Sequence, residues 1–77
     1  MIIYYTKEGK FKEYNNNLPI NKLHREDGPA IIWGNRDEEW WVNDKELNTN
    51  EVEAWIKDNN IDLATKKSQM LFMLKFG

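Results

Sequence analysis

The sequence contains no cysteine and only one histidine, His24. Without cysteine the chain forms no disulfides and offers no thiolates to zinc or an iron–sulfur cluster, which fits a reducing compartment. A single histidine also excludes a cluster of imidazole ligands. No uncharged apolar run is long enough to span a bilayer, and the first residues lack the basic flank of a signal peptide. We therefore expect a cytoplasmic protein with no membrane partner, no metal and no cofactor.

Aromatic residues are plentiful in a chain of 77 residues, with four Trp, three Tyr and three Phe. So short a chain makes one domain with a small interior, and each buried aromatic side chain removes on the order of 150–250 Å² from water. We expect residues 1–77 to form a single domain whose core is built largely from these rings.

Charge is unevenly distributed along the chain. Residues 1–25 carry a net charge of +3, residues 26–62 carry −8 and residues 63–77 carry +3, within a total of −2. An acidic middle is either a solvated surface or a patch that meets a basic partner. The segment from Glu26 to Asp62 therefore allows nucleic-acid mimicry as an alternative function.

The first half of the chain, residues 1–47, has the pattern of an antiparallel sheet. Met1–Tyr5 and Phe11–Tyr14 predict a hairpin, and Ala30–Trp33 and Glu38–Asn43 predict a second one around the turn at residues 34–37. An edge strand near Ile20–Leu23 is a further possibility. Strand alternation in the fourth of these segments separates two tryptophans, with Trp40 on one face and Trp41 on the other.

The second half, residues 48–77, predicts two helices. Asn48 has the chemistry of an N-cap, Glu51 completes a capping box, and Leu47 and Val52 form a hydrophobic staple, so a helix is predicted over residues 49–58. Asp62 or Thr65 can cap a second helix that runs to about residue 75. Residues 70–74 are apolar all round this helix, which favours burial on more than one side or contact with a second copy of the chain. The fold class is therefore α+β, a small antiparallel hairpin or meander sheet packed against two C-terminal helices.

A charged turn precedes the second hairpin, in the run Leu-His-Arg-Glu-Asp-Gly-Pro-Ala of residues 23–30. With the strand that follows and Trp-Trp-Val-Asn-Asp-Lys at residues 40–45, it resembles the His-Arg-Glu-Asp-Gly-Pro-Ala repeats of small proteins from large tailed bacteriophages and some giant viruses, which are grouped with MORN-repeat variants. The resemblance continues through residues 55–76 and implies a hairpin repeat and a phage origin, with the host cytoplasm as the place of action. It implies no catalytic or binding residues.

The candidate sites divide into a turn and a partner-binding set. Adjacent residues of a turn rarely converge on one reacting atom, so we favour a structural role over a general base at His24. We predict the same structural role for the whole turn, which consists of His24, Arg25, Glu26, Asp27, Gly28 and Pro29. The aromatic residues lie in an acidic region, which disfavours a base-stacking platform and direct nucleic-acid binding. We instead predict a surface that binds a protein partner, formed by Trp33, Trp40, Trp41, Asp37, Glu38 and Glu39.

The sequence contains no catalytic cluster, and the resemblance implies a phage origin, so the predicted function is that of a non-enzymatic, phage-encoded interaction protein. It would bind a host protein and modulate or inhibit it, as in counter-defence or host takeover, with homo-oligomerisation through the C-terminal helix as an option. The alternative is an acidic mimic that blocks the nucleic-acid site of a host enzyme.

Overall fold

The structure, a computed structural model, describes residues 1–19 and 21–77. Five strands form one antiparallel sheet in the order β2-β1-β3-β4-β5, and two helices follow. The bounds are β1 Ile2–Thr6, β2 Gly9–Glu13, β3 Ile31–Ile32, β4 Glu38–Val42, β5 Lys45–Leu47, α1 Thr49–Asp58 and α2 Lys66–Phe76. The predicted α+β architecture, with the sheet in the first half and the helices in the second, is confirmed.

The two tryptophans of β4 lie in different hydrophobic clusters on opposite faces of the sheet. On the helix face, Trp40 and Val42 pack with residues of β5 and both helices around Phe72. On the other face, which we call the loop face, Trp41 packs with Ile31, with residues of β1 and with Leu18 and Leu23. The predicted alternation is thus correct, and the structure places Trp40 on the face that the helices cover.

One strand was missed by the sequence analysis. No strand was predicted between Glu38–Asn43 and the first helix, but the chain turns at Asn43 and Asp44, with φ angles of 49° and 63°, and then forms β5. Two positive φ angles in a two-residue loop suit the right-handed twist of a hairpin, which is why Val42 pairs directly with Lys45. Leu47, at the end of β5, reaches the helix-face core.

Helix boundaries follow the predicted caps closely. The side chain of Asn48 accepts a hydrogen bond from the Glu51 N–H at 3.0 Å, and α1 ends at Asp58 before Asn60, whose φ is 50°. Of the two candidate caps for α2, Thr65 is the one used, because its hydroxyl accepts from the Ser68 N–H at 3.2 Å. Asp62 instead accepts a hydrogen bond from the Ala64 N–H. Both caps satisfy amide donors that the helix leaves free.

The central strand is interrupted by the charged motif. Leu23 pairs with Thr6, and Ile31 pairs with Tyr4, so on β1 the whole stretch from His24 to Ala30 faces only Tyr5. The motif is therefore a large bulge within one broken strand, rather than the turn between strands that we predicted. Leu23 thus lies inside the sheet and not at an edge, while Ile20, part of the same predicted edge strand, lies outside the described residues.

Strand β2 is one edge of the sheet, and no strand among the described residues pairs with its outer side. Tyr5 pairs with Lys10, and the Tyr5 N–H points away from β2 to the Ala30 carbonyl at 2.8 Å. In an antiparallel pair, directly opposite residues orient their backbone groups alike, either both inward or both outward. The N–H and C=O of Lys10 and Lys12 consequently point to the open edge.

Candidate functional site: an acidic groove beside two tryptophans

Two indole rings share one carboxylate on the loop face. The Trp33 Nε1–H donates to Oε2 of Glu39 at 2.6 Å, and the Trp41 Nε1–H donates to Oε1 of the same residue at 3.1 Å. Both rings are partly buried against the loop-face core. Hydrogen bonds to an ionised acceptor are stronger than neutral ones, so this arrangement holds both rings in fixed orientations while part of each stays accessible.

The turn between β3 and β4 positions a second carboxylate. The Trp33 N–H donates to the Asp37 carbonyl at 2.9 Å, which closes the turn. The Asn35 side chain then accepts from the Asp37 N–H and donates to Asp37 Oδ2, both at 3.0 Å. Arg36 has a φ of 74°, which lets the chain reverse here. Asp37 is thereby fixed next to Trp33.

A shallow groove runs between this turn and the start of α1, and we call it the acidic groove. It is lined by Trp33, Arg36, Asp37, Glu38, Glu39, Thr49, Asn50 and Glu53. Arg36 is the one base in this lining, against four carboxylates. Carboxylates beside a partly exposed indole provide both charge attraction and a ring face for a cation, which suits a lysine or arginine of a partner.

Four of the six predicted partner-binding residues line this groove, and a fifth is attached to it. Trp33, Asp37, Glu38 and Glu39 are lining residues, and Trp41 joins them through the Glu39 carboxylate. The helix-face Trp40 is only 6% exposed, and its indole N–H has no hydrogen-bond partner among the described residues. We therefore leave Trp40 out of the surface.

Helix α1 contributes three residues to the acidic groove that were not predicted from the sequence. Thr49, Asn50 and Glu53 belong to the first turns of the helix, where we had assigned the neighbouring residues only to capping and core packing. Their presence in the groove depends on how α1 packs on the sheet, and no local pattern records that. Glu53 is the informative one, since it adds a carboxylate from a different element.

His24 is held inside the sheet by strand β1 and by the β4–β5 turn. Its side chain is buried, and Nδ1 accepts the Asn43 N–H at 2.9 Å, while its backbone N–H donates to the Tyr5 carbonyl at 3.0 Å. On the other side of the ring, Nε2 lies 3.4 Å from Glu26 Oε2. Because Nδ1 accepts an amide proton, the proton of the neutral ring resides on Nε2.

Arg25 closes the bulge from within. Its Nε donates to Asp27 Oδ1 at 2.7 Å, a terminal nitrogen donates to the Pro29 carbonyl at 3.0 Å, and the guanidinium lies 3.9 Å from the centre of the Tyr5 ring. A Cβ on Gly28 would lie 2.7 Å from the guanidinium carbon, so a side chain at this position would require Arg25 to move. The motif residues thus bond to one another and to adjacent strands.

Residues 1–19 and 21–77 contain no group of three or more His, Asp or Glu side chains that could hold a metal ion. Within the same residues, neither helix is long and apolar enough to cross a membrane. Comparison with known proteins gave no match to a family model, to a curated protein or to a solved structure.

Proposed function

We propose that this is a small non-enzymatic, phage-encoded interaction protein that binds a host protein and modulates or inhibits it. The observation that carries the proposal is the shared Glu39 carboxylate, which fixes Trp33 and Trp41 beside the acidic groove. Binding energy at protein interfaces is concentrated in a few aromatic anchors, and anchors that are already ordered lose less entropy on binding. The phage origin rests on the resemblance of residues 23–30 to the repeat described above.

The groove also indicates which part of a partner would occupy it. Asp37, Glu38, Glu39 and Glu53 give it a negative lining, and Trp33 belongs to the same lining. A basic segment, with an arginine or lysine placed over Trp33, matches both features. The surface would therefore select a basic patch on the host protein.

Affinity capture from host lysate tests the proposal. Immobilised wild-type protein should retain a host protein, identified by mass spectrometry, and the double variant W33A/W41A should lose it. Tyr14→Ala is the matched control, because Tyr14 is an aromatic side chain that is 72% exposed and lies outside the groove. Circular dichroism would establish that each variant is folded. Equal retention by the wild type and the folded double variant, or no retained protein at all, would refute the proposal.

Nucleic-acid mimicry is the second candidate function, and the four carboxylates of the groove favour it. A mimic would occupy the DNA or RNA site of a host enzyme, and its binding would depend mainly on charge. The captured complex should then dissociate as salt rises through the physiological range, and Asp37→Asn with Glu53→Gln should weaken it more than W33A/W41A. A complex that survives salt and depends on the tryptophans excludes mimicry and supports the first proposal.

A further inference from the structure

The outward face of α2 carries apolar side chains that nothing in the described chain covers. Met70 is 67% exposed, Leu71 is 40% exposed and Leu74 is 83% exposed. Their spacing places them on one side of the helix, opposite Phe72, which is fully buried. We call Met70, Leu71 and Leu74 the α2 stripe. We predicted that this helix is buried on more than one side or contacts a second chain, and within the described residues this side of it remains exposed.

Every charged residue of α2 is a lysine, and all three border the stripe. Lys66 lies four residues before Met70, Lys67 lies four residues before Leu71, and Lys75 lies four residues after Leu71. Residues four apart are neighbours on a helix surface. Among the residues of α2 itself, the stripe is therefore bordered by positive charge only.

Two of these lysines occupy an unfavourable position for the helix itself. Lys66 and Lys67 are in the first turn of α2, which contains no acidic residue. The positive end of the helix dipole disfavours cations there and favours carboxylates. Carboxylates of a bound partner would offset the charge of the lysines and that of the helix end together.

We propose that the α2 stripe is a docking surface for an acidic amphipathic helix of another protein. Leucines of such a helix would pack on Met70, Leu71 and Leu74, and its flanking glutamates would pair with the lysines. The inference concerns a different surface from the acidic groove and takes a partner segment of the opposite charge.

The charge and the composition of α2 disfavour two other occupants. A second copy packed in parallel would place lysine against lysine, and in an antiparallel arrangement α2 would still offer no carboxylate to the opposing rim. A helix that lies on a lipid surface inserts aromatic side chains together with aliphatic ones. Both aromatic residues of α2, Phe72 and Phe76, pack toward the helix-face core instead.

Two synthetic helical peptides with the same leucine positions test the proposal, one with glutamate and one with lysine at the flanking positions. Fluorescence anisotropy of labelled peptides should show the glutamate peptide binding the wild-type protein at least about tenfold more tightly than the lysine peptide, a difference of about 1.4 kcal/mol. Leu74→Ser should weaken the glutamate peptide by about tenfold, and the variant K66E/K67E/K75E should reverse the preference. Tyr14→Ser controls for loss of an exposed apolar side chain elsewhere, and W33A/W41A should bind both peptides as the wild type does.

Three results would overturn the inference. Equal affinity for the two peptides in the wild type and the charge-reversed variant would exclude selection by the lysine rim. A dimer seen by analytical ultracentrifugation and abolished by Leu74→Ser would identify a second copy as the occupant. Leu74-dependent binding to vesicles that contain phosphatidylserine, without binding of the glutamate peptide, would identify a lipid surface.

Discussion

Replacing Gly28 with alanine should destabilise the protein through Arg25 alone. The new Cβ would lie 2.7 Å from the guanidinium carbon, so the Arg25 side chain must move away. It would then lose its ion pair with half-exposed Asp27, worth about 0.5 kcal/mol, and its bond to the Pro29 carbonyl, worth about 1 kcal/mol. The contact with the Tyr5 ring adds about 0.5–1 kcal/mol.

The backbone contribution has the opposite sign. The φ of Gly28 is not in the left-handed region, so alanine fits its backbone conformation and stabilises by about 0.4–1 kcal/mol by restricting the unfolded chain. We therefore expect Gly28→Ala to lower the free energy of unfolding by about 1–2 kcal/mol. Urea denaturation followed by tryptophan fluorescence measures this value.

A double-mutant cycle isolates the contact. In the Arg25→Ala background the clash is gone, so Gly28→Ala should be neutral or stabilise by about 0.5 kcal/mol. The coupling energy between the two positions should then be about 2 kcal/mol. If Gly28→Ala destabilises the protein equally in both backgrounds, the two substitutions are additive and our account of why the motif needs glycine here is wrong.

Two further predictions concern His24 and the β2 edge. His24→Ala should lower the free energy of unfolding by about 2 kcal/mol, because the Asn43 N–H loses its acceptor. His24→Asn offers an amide oxygen near the Nδ1 position and should lower it by less than about 1 kcal/mol. Equal losses for the two variants in urea denaturation would contradict this explanation. Pairing of β2 with its copy about Phe11 would oppose Lys10 to Lys12, so K10V/K12V should associate with rising concentration in light-scattering chromatography while K10R/K12R behaves as the wild type does. An unchanged mass of K10V/K12V at all concentrations would show that the lysines do not protect this edge.

Features set by neighbouring residues could be predicted from the sequence. The cap at Asn48 acts over three residues and identifies the start of α1 directly. For α2 the same chemistry offered both Asp62 and Thr65, and the structure uses Thr65. The alternation of Trp40 and Trp41 follows from strand geometry alone. These local rules were enough for the fold class and for placing one tryptophan on each face.

Features that join distant residues could not be predicted. The His24 ring bonds to Asn43, nineteen positions away, and no local pattern links them. The same holds for Glu53, which reaches the acidic groove only because α1 packs beside the β3–β4 turn. The bulge was missed for a related reason, since a charged Asp-Gly-Pro stretch looks the same whether it ends a strand or interrupts one.

The broken central strand has a kinetic consequence. The β1–β2, β3–β4 and β4–β5 pairs each join strands that are close in sequence, whereas β1 meets β3 only after the long intervening segment and the bulge are in place. Pairings that close long loops carry the larger entropy cost and form slowly. Folding of this chain should therefore be limited by the joining of the β1–β2 hairpin to the three-stranded β3–β4–β5 unit, along Tyr4–Ile31.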